Sequence, residues 1–301
     1  MSEPFSPGPQ SRSITVDGLE RRYLVHIPAG EARSRPVVMM LHGSGGSGSW
    51  AAGETRWNEW AQNRGWVAVF PDATRPNPSH PALFFSNPAV WNDGAERPPS
   101  DRVSHVDDVT FIRMILDDLP RHVAIDPNRV CLTGFSNGAA MAFRLAAELP
   151  DCFCAVAPVA GHCWYRGQPS RQMMPTLYLI GDVDPLLPLE GGTIETFWAE
   201  SVVKPPIRET LARWARHLGY TGSASTEIAG EVQIEKFGPG FEAWLIRGLG
   251  HHWPGGRGGL NPRLAGPWSA AVDATATIGS FFERVTGDSG SREAGDAFAK
   301  K

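Results

Sequence analysis

A serine stands between two glycines in Gly134-Phe135-Ser136-Asn137-Gly138, a spacing that leaves room for a sharp turn with the hydroxyl at its tip. A neutral hydroxyl is a weak nucleophile. It needs a base to take its proton, an acid to orient that base, and donors for the negative charge that develops on the attacked oxygen. The chain offers each. His251 and His252, in Gly250-His251-His252-Trp253-Pro254-Gly255-Gly256, are candidates for the base, and Asp182 and Asp184, in Gly181-Asp182-Val183-Asp184-Pro185, for the acid. His42-Gly43-Ser44-Gly45-Gly46 is a glycine loop in which the N–H of Ser44 would be one oxyanion donor, with the N–H of Asn137 as the second. The chemistry this set supports is acyl transfer through a covalent intermediate, which calls for no cofactor and no metal. The plainer reading makes Ser136 a helix N-cap and the other segments ordinary turns.

Such a site requires a strand before the serine and a helix after it. Residues 130–133 read as a short buried strand, and 137–148 carry Met141 and Leu145 at helical spacing, with Leu149 just beyond. Further strand-like runs fall at 22–27, 36–41, 66–70, 155–159, 176–180 and 243–246, alternating with helical patterns near 55–64, 107–123, 208–218 and 270–285. That alternation predicts an α/β fold with a mostly parallel central sheet and helices on both faces. The glycine loop, the acidic pair and the histidine pair each directly follow a predicted strand. Residues 1–12 and 287–301 are Pro/Ser- or Gly/Ser/Ala-rich and are expected to be disordered, leaving 13–286 as one catalytic domain. Two long Pro- and aromatic-rich stretches, 73–102 and 184–206, are expected to face the substrate.

Composition narrows the function classes. The 301 residues include 28 Lys and Arg against 32 Asp and Glu, and no basic stripe is present to track phosphates, so no nucleic-acid partner is expected. No apolar run is long enough to span a membrane. The opening MSEPFSPGPQSRS lacks the regions of a signal peptide, so the chain as given reads as cytoplasmic, or as secreted if its true start lies upstream. Cys131, Cys152, Cys154 and Cys163 form no C-x-x-C pair, and neither His105-Val106-Asp107-Asp108 nor His251-His252 has the spacing of a zinc site. One competing motif exists: Gly43, Gly45 and Gly48 satisfy G-x-G-x-x-G after a strand, with Asp72 where a ribose-binding acid of an NAD-dependent oxidoreductase would stand. That reading needs a helix starting at the last glycine, where 49–55 shows no clear apolar face. A non-catalytic binding protein on the same fold is the other alternative.

The segments LHGSGG, VWNDG, VDDVTFIRMILDDL, IDPNRV, TGFSNGAAMAFRLA, GDVDPLLP and GHHWPGG, in this order, resemble the polyhydroxybutyrate depolymerase and feruloyl esterase-like branch of the α/β-hydrolases over roughly residues 14–285. The order Ser, Asp, His is that of the superfamily. The resemblance implies an α/β-hydrolase fold and a serine esterase acting on a small-molecule or oligomeric ester. It implies Ser136 as nucleophile, Asp184 as acid and His251 as base, and makes Asp107 and Asp108 structural support. Of eleven tryptophans, Trp91 and Trp253 are the candidates for the pocket wall, with Trp164 and Trp198 also in loops. Tyr220 and Asp93 stand where secreted relatives often carry cysteines, so that disulfide is not expected. With no room for an appended binding module, a short soluble ester, a feruloyl ester or a hydroxyalkanoate oligomer is a better expectation than solid polymer.

Overall fold

The computed structural model describes residues 6–30, 34–170, 172–196, 198 and 200–287. The chain opens with an antiparallel hairpin, β1 (Gly8–Val16) and β2 (Leu19–Ile27), turned by Asp17 and Gly18 with positive φ. Residues 8–12, expected to fray, are therefore the first half of an edge strand. Their alternating exposed and half-buried pattern is that of a strand with little apolar content of its own. Residues 1–5 and those after 287 lie outside the described residues. Next come β3 (Arg35–Leu41), α1 (Gly48–Thr55), α2 (Trp57–Arg64), β4 (Val67–Pro71), α3 (Asp108–Asp118), β5 (Ile125–Phe135), α4 (Asn137–Glu148), β6 (Ala155–Val159) and β7 (Thr176–Gly181). Two short strands, β8 (Gly192–Glu195) and β9 (Ser201–Lys204), pair only with each other. After α5 (Ile207–His217) follow β10 (Ser225–Ala229), β11 (Val232–Gly238), β12 (Phe241–Ile246), α6 (Pro262–Ala265) and α7 (Ala274–Thr286).

The main sheet has the order β1-β2-β4-β3-β5-β6-β7-β12-β11-β10. From β4 to β12 every neighbouring pair is parallel, and antiparallel strands complete both edges. β3, β4, β6 and β7 are buried along their whole length, which is why they read as unbroken apolar runs rather than alternating ones. α1, α2 and α7 gather around tryptophans: Trp57 stacks on Phe282 at 6.1 Å and meets Trp60 edge-on at 5.1 Å. α4 and α5 meet through Phe143 and Trp214, with ring centroids 5.0 Å apart. Truncating Trp57, Phe143, Trp214 or Phe282, all fully buried, to alanine would cost about 3–5 kcal/mol.

The helix expected at 55–64 is α2, and it is preceded by a further helix, α1, from which Arg56, with a φ of 59° in the left-handed region, separates it. α1 also begins at Gly48, so the third glycine of the G-x-G-x-x-G pattern does open a helix, contrary to expectation. The reason is capping rather than amphipathicity: the Ser47 hydroxyl accepts from Trp50 N–H, and the Asp72 carboxylate accepts from Gly48 N–H at 2.6 Å. β3, β5, β7 and β12 all end at one edge of the sheet, where the glycine loop, Ser136, Asp184 and His251 follow.

Candidate active site

Ser136 sits between β5 and α4 with φ 57° and ψ −119°, a strained backbone that L-residues rarely adopt. The packing around it enforces the turn. A Cβ on Gly134 would run into the Gly138 carbonyl, one on Gly138 into the carbonyls of Leu41 and His42, and one on Gly161 into the carbonyl of Ser136 itself. The Ser136 side chain does not cap α4. Its Oγ lies 2.9 Å from His251 Nε2, and His251 Nδ1 lies 2.7 Å from Asp184 Oδ2. Asp184 Oδ1 accepts from Leu186 and Leu187 N–H at 2.8 and 2.9 Å, so the carboxylate is held on both oxygens. Asp184 and His251 are 3% and 2% exposed. With Nδ1–H donating to Asp184, Nε2 is left to accept from the serine.

The neighbouring candidates are drawn elsewhere. Asp182 is exposed and accepts from Gly248 N–H at 2.6 Å, a turn contact. His252 places Nε2 2.9 Å from the Gly266 carbonyl and does not reach Ser136. The structure thus brings together Ser136, Asp184 and His251.

Gly43 packs against Ser136, where an added Cβ would lie 3.2 Å from the serine Cβ. In the loop that follows, Gly45 N–H donates to the Ala89 carbonyl and Gly46 N–H to that of Gly43, leaving the Ser44 N–H without a protein acceptor among the described residues. Asn137 is the first residue of α4, so its N–H has no intrahelical acceptor and carries the positive end of the helix dipole. Both residues line the cavity in front of Ser136.

Two groups missed in the sequence hold this arrangement. His42 is fully buried, Nδ1 donating to the Gly43 carbonyl at 2.7 Å and Nε2 accepting from Ala73 N–H at 3.0 Å. Burial lowers its pKa, which keeps the ring in that neutral tautomer. Asn137 Oδ1 accepts from Trp91 N–H at 2.7 Å while its Nδ2 donates to Asp93 Oδ2 at 2.7 Å, tying 91–93 to the start of α4. Burial raises the pKa of Asp93 despite these bonds. His42 was legible in principle, since it directly follows a buried strand; nothing local marks Asp93. Asp108 is fully buried against Arg21 at 2.6 Å and accepts from Asn92 N–H, while Asp107 caps α3, so both support the fold around the site.

The cavity measures about 610 Å³, well within the range of small-ligand sites. Both long loops reach it, through Phe84 and Phe85 from 73–102 and Ile194 and Trp198 from 184–206. The Trp198 indole N–H donates to the Phe84 carbonyl at 2.5 Å and joins the two. Trp91 and Trp253 require correction: neither lines the cavity. Trp91 is fully buried and donates to the His42 carbonyl at 2.9 Å, and Trp253 donates to Thr275 Oγ1 at 3.0 Å beneath α7. Trp50, Trp164 and Trp198 form the aromatic wall instead. Asp72, the acid of the dinucleotide motif, accepts from Gly48 N–H, and Gly45 packs against the Phe84 ring. Among the described residues no cluster of three or more His, Cys, Asp or Glu is placed to hold a metal ion, and no helix is long and apolar enough to cross a membrane.

A central parallel sheet, a strained serine after its fifth strand, and an acid and a histidine after later strands define an α/β-hydrolase. Residues 21–174 match the family described as Esterase PHB depolymerase, just over half of the chain. The chain belongs to that family and is a carboxylic ester hydrolase. It is 27% identical over 299 residues to the putative esterase NocK of Nocardia uniformis subsp. tsuyamanensis, covering 90% of this chain and 81% of that protein. Against poly(3-hydroxyalkanoate) depolymerase C of Paucimonas lemoignei it is 29% identical over 136 residues, 45% of this chain and 30% of that one. Feruloyl esterase B of Piromyces equi is 25% identical over 223 residues, 70% of this chain and 38% of that one, so the chain spans well under half of either enzyme. The fold is shared with the acetyl xylan esterase from Aspergillus awamori at a TM-score of 0.59 and 15% identity, covering 81% and 94% of the two chains.

Proposed function

We propose that the chain hydrolyses soluble carboxylic esters with Ser136 as nucleophile, His251 as general base and Asp184 as the acid that orients it. The observation that carries this reading is the pair of hydrogen bonds linking Ser136 Oγ, His251 and Asp184 at 2.9 and 2.7 Å. His251 takes the serine proton as Oγ attacks the ester carbonyl. Asp184 stabilises the imidazolium, and the N–H groups of Ser44 and Asn137 stabilise the oxyanion. His251 then returns the proton to the departing alcohol oxygen, leaving an acyl-serine. A water molecule, deprotonated by the same histidine, releases the acid. The aromatic wall and cavity size favour a feruloyl-type or short hydroxyalkanoate ester.

A fluorophosphonate reports an activated serine directly. The protein should take up one equivalent, with the adduct on the peptide containing Ser136, and should hydrolyse 4-nitrophenyl butyrate. An unlabelled protein, or an adduct elsewhere, would overturn the assignment.

A further inference from the structure

The loop after β6 passes Ser136 at Gly161 and then delivers His162 and Trp164 to the cavity wall. The same wall carries Arg97, from the first long loop, and Lys204, the last residue of β9. The Arg97 guanidinium carbon lies over the Trp164 ring, 4.1 Å from its centroid, and the group donates to the Val203 carbonyl at 2.6 Å, which fixes it beside β9. The Lys204 ammonium makes no hydrogen bond or ion pair among the described residues, its backbone being paired with β8. His162 is 2% exposed; its Nδ1 is engaged with Thr210 Oγ1 at 2.7 Å, and its Nε2 is buried with no partner.

The charges here do not balance. Asp93 is the acid in this part of the cavity, and it is committed to Ala95 N–H and Asn137 Nδ2, pairing with neither cation. Arg97 and Lys204 therefore present at least one positive charge that the protein leaves uncompensated. Both side chains are half-buried on the cavity wall, and charges partly withdrawn from water are ordinarily paired, because desolvation penalises an isolated one. The penalty is visible: burial lowers the pKa of Lys204 in spite of the opposing field of Asp93, with Arg97 adding to the lowering, and burial followed by the fields of Lys204, Arg97 and Arg213 lowers that of His162 to about 3. The histidine is thus neutral and adds no charge of its own.

We propose that Lys204, Arg97 and His162 form a subsite for a carboxylate on the ester substrate, so that the preferred substrates are half-esters and other esters bearing a free carboxylate. This rests on the reading of Ser136 as nucleophile and adds to it the substrate class. One carboxylate matches the excess charge. It would accept from the Lys204 ammonium and a free Arg97 N–H as charge-assisted hydrogen bonds, with His162 Nε2 as a third contact. An anion of higher charge would meet the repulsion of Asp93.

Two matched ester pairs test this, one for each half of the ester. Mono-4-nitrophenyl glutarate is compared with its methyl ester, and 4-acetoxybenzoate with methyl 4-acetoxybenzoate. In at least one pair the acid should be favoured in kcat/KM on the order of tenfold or more, mainly through KM. That ratio should fall on the order of tenfold in Lys204→Met and again in Arg97→Met. Because the ratio is read, a general loss of activity in a variant does not mimic the result. No preference for either acid, or a ratio unchanged in both variants, overturns the subsite. If the wild type is labelled at Ser136 and cleaves the neutral esters without preference, the subsite alone fails. If it is neither labelled nor active, the nucleophile assignment fails. The subsite is then decided by calorimetric titration of monomethyl glutarate, where saturable binding that Lys204→Met weakens supports it and absence of binding overturns it.

Discussion

Asp184 receives two backbone N–H groups and His251 Nδ1, while Asp182, two residues away, receives one backbone N–H in an exposed turn. The two carboxylates therefore respond differently to the same conservative change. Asp184→Asn should lower kcat on the order of 10³-fold or more, because the amide no longer fixes the histidine tautomer. Asp182→Asn should cost on the order of tenfold or less. The histidines follow the same logic: His251→Ala removes the base and should cost on the order of 10³-fold or more, whereas His252→Ala loses a contact to the Gly266 carbonyl and should retain most activity. Steady-state kinetics on 4-nitrophenyl butyrate, with thermal midpoints confirming folded variants, decides both pairs. A dead His252→Ala beside an active His251→Ala would reverse the assignment. Sequence alone left these pairs open within the local motif, and the choice came from likeness to a family. What separates them physically is which side of a tight turn each faces, a property that one-residue spacing cannot reveal.

The glycine loop and α1 show how an element can satisfy a motif for a different reason. Gly48 begins α1 pressed against β4, where an added Cβ would collide with the Phe70 carbonyl. Gly48→Ala should therefore destabilise the protein by about 1–3 kcal/mol through overpacking, read as a lower urea midpoint at unchanged slope. A variant as stable as the parent would show that the helix start can shift. The strands of the sheet's middle were legible because each is an apolar run of five to seven residues covered on both faces. β1 and β10 were not: Gly-Pro-Gln-Ser-Arg-Ser-Ile-Thr-Val alternates weakly, and Ser-Thr-Glu-Ile-Ala is exposed throughout, so their pairing is set by neighbours rather than by burial. The same limit misplaced the tryptophans. An indole in a loop reads alike whether it faces solvent or the core, and the Trp91 ring turns inward because His42 offers it a carbonyl.

At the scale of the whole molecule, the buried histidines make stability depend on acidity. His162 has a pKa of about 3 in the folded chain, against about 6.5 when unfolded. Its neutral form is favoured by the fold, so nothing is lost above pH 6.5. As the pH falls from about 6.5 toward 3, the unfolded chain binds a proton that the native one refuses. That costs up to about 1.4 kcal/mol per pH unit, and His42 acts in the same direction. Urea unfolding at pH 7 and pH 5 should show the loss, smaller in His162→Gln; an equal loss in both would remove His162 as its source. The wide spacing of the reacting groups has a kinetic side. Ser136 and His251 are 115 positions apart and Asp184 and His251 67, so the site is built from long-range contacts that carry a loop-closure cost. A chain leaving the ribosome exposes its serine turn long before the histidine is synthesised. β12 must then find its place beside β7 before the hydroxyl acquires a base, so the nascent polypeptide carries an inert serine while the 115 positions up to the histidine are added, and catalytic competence arrives only when the sheet closes.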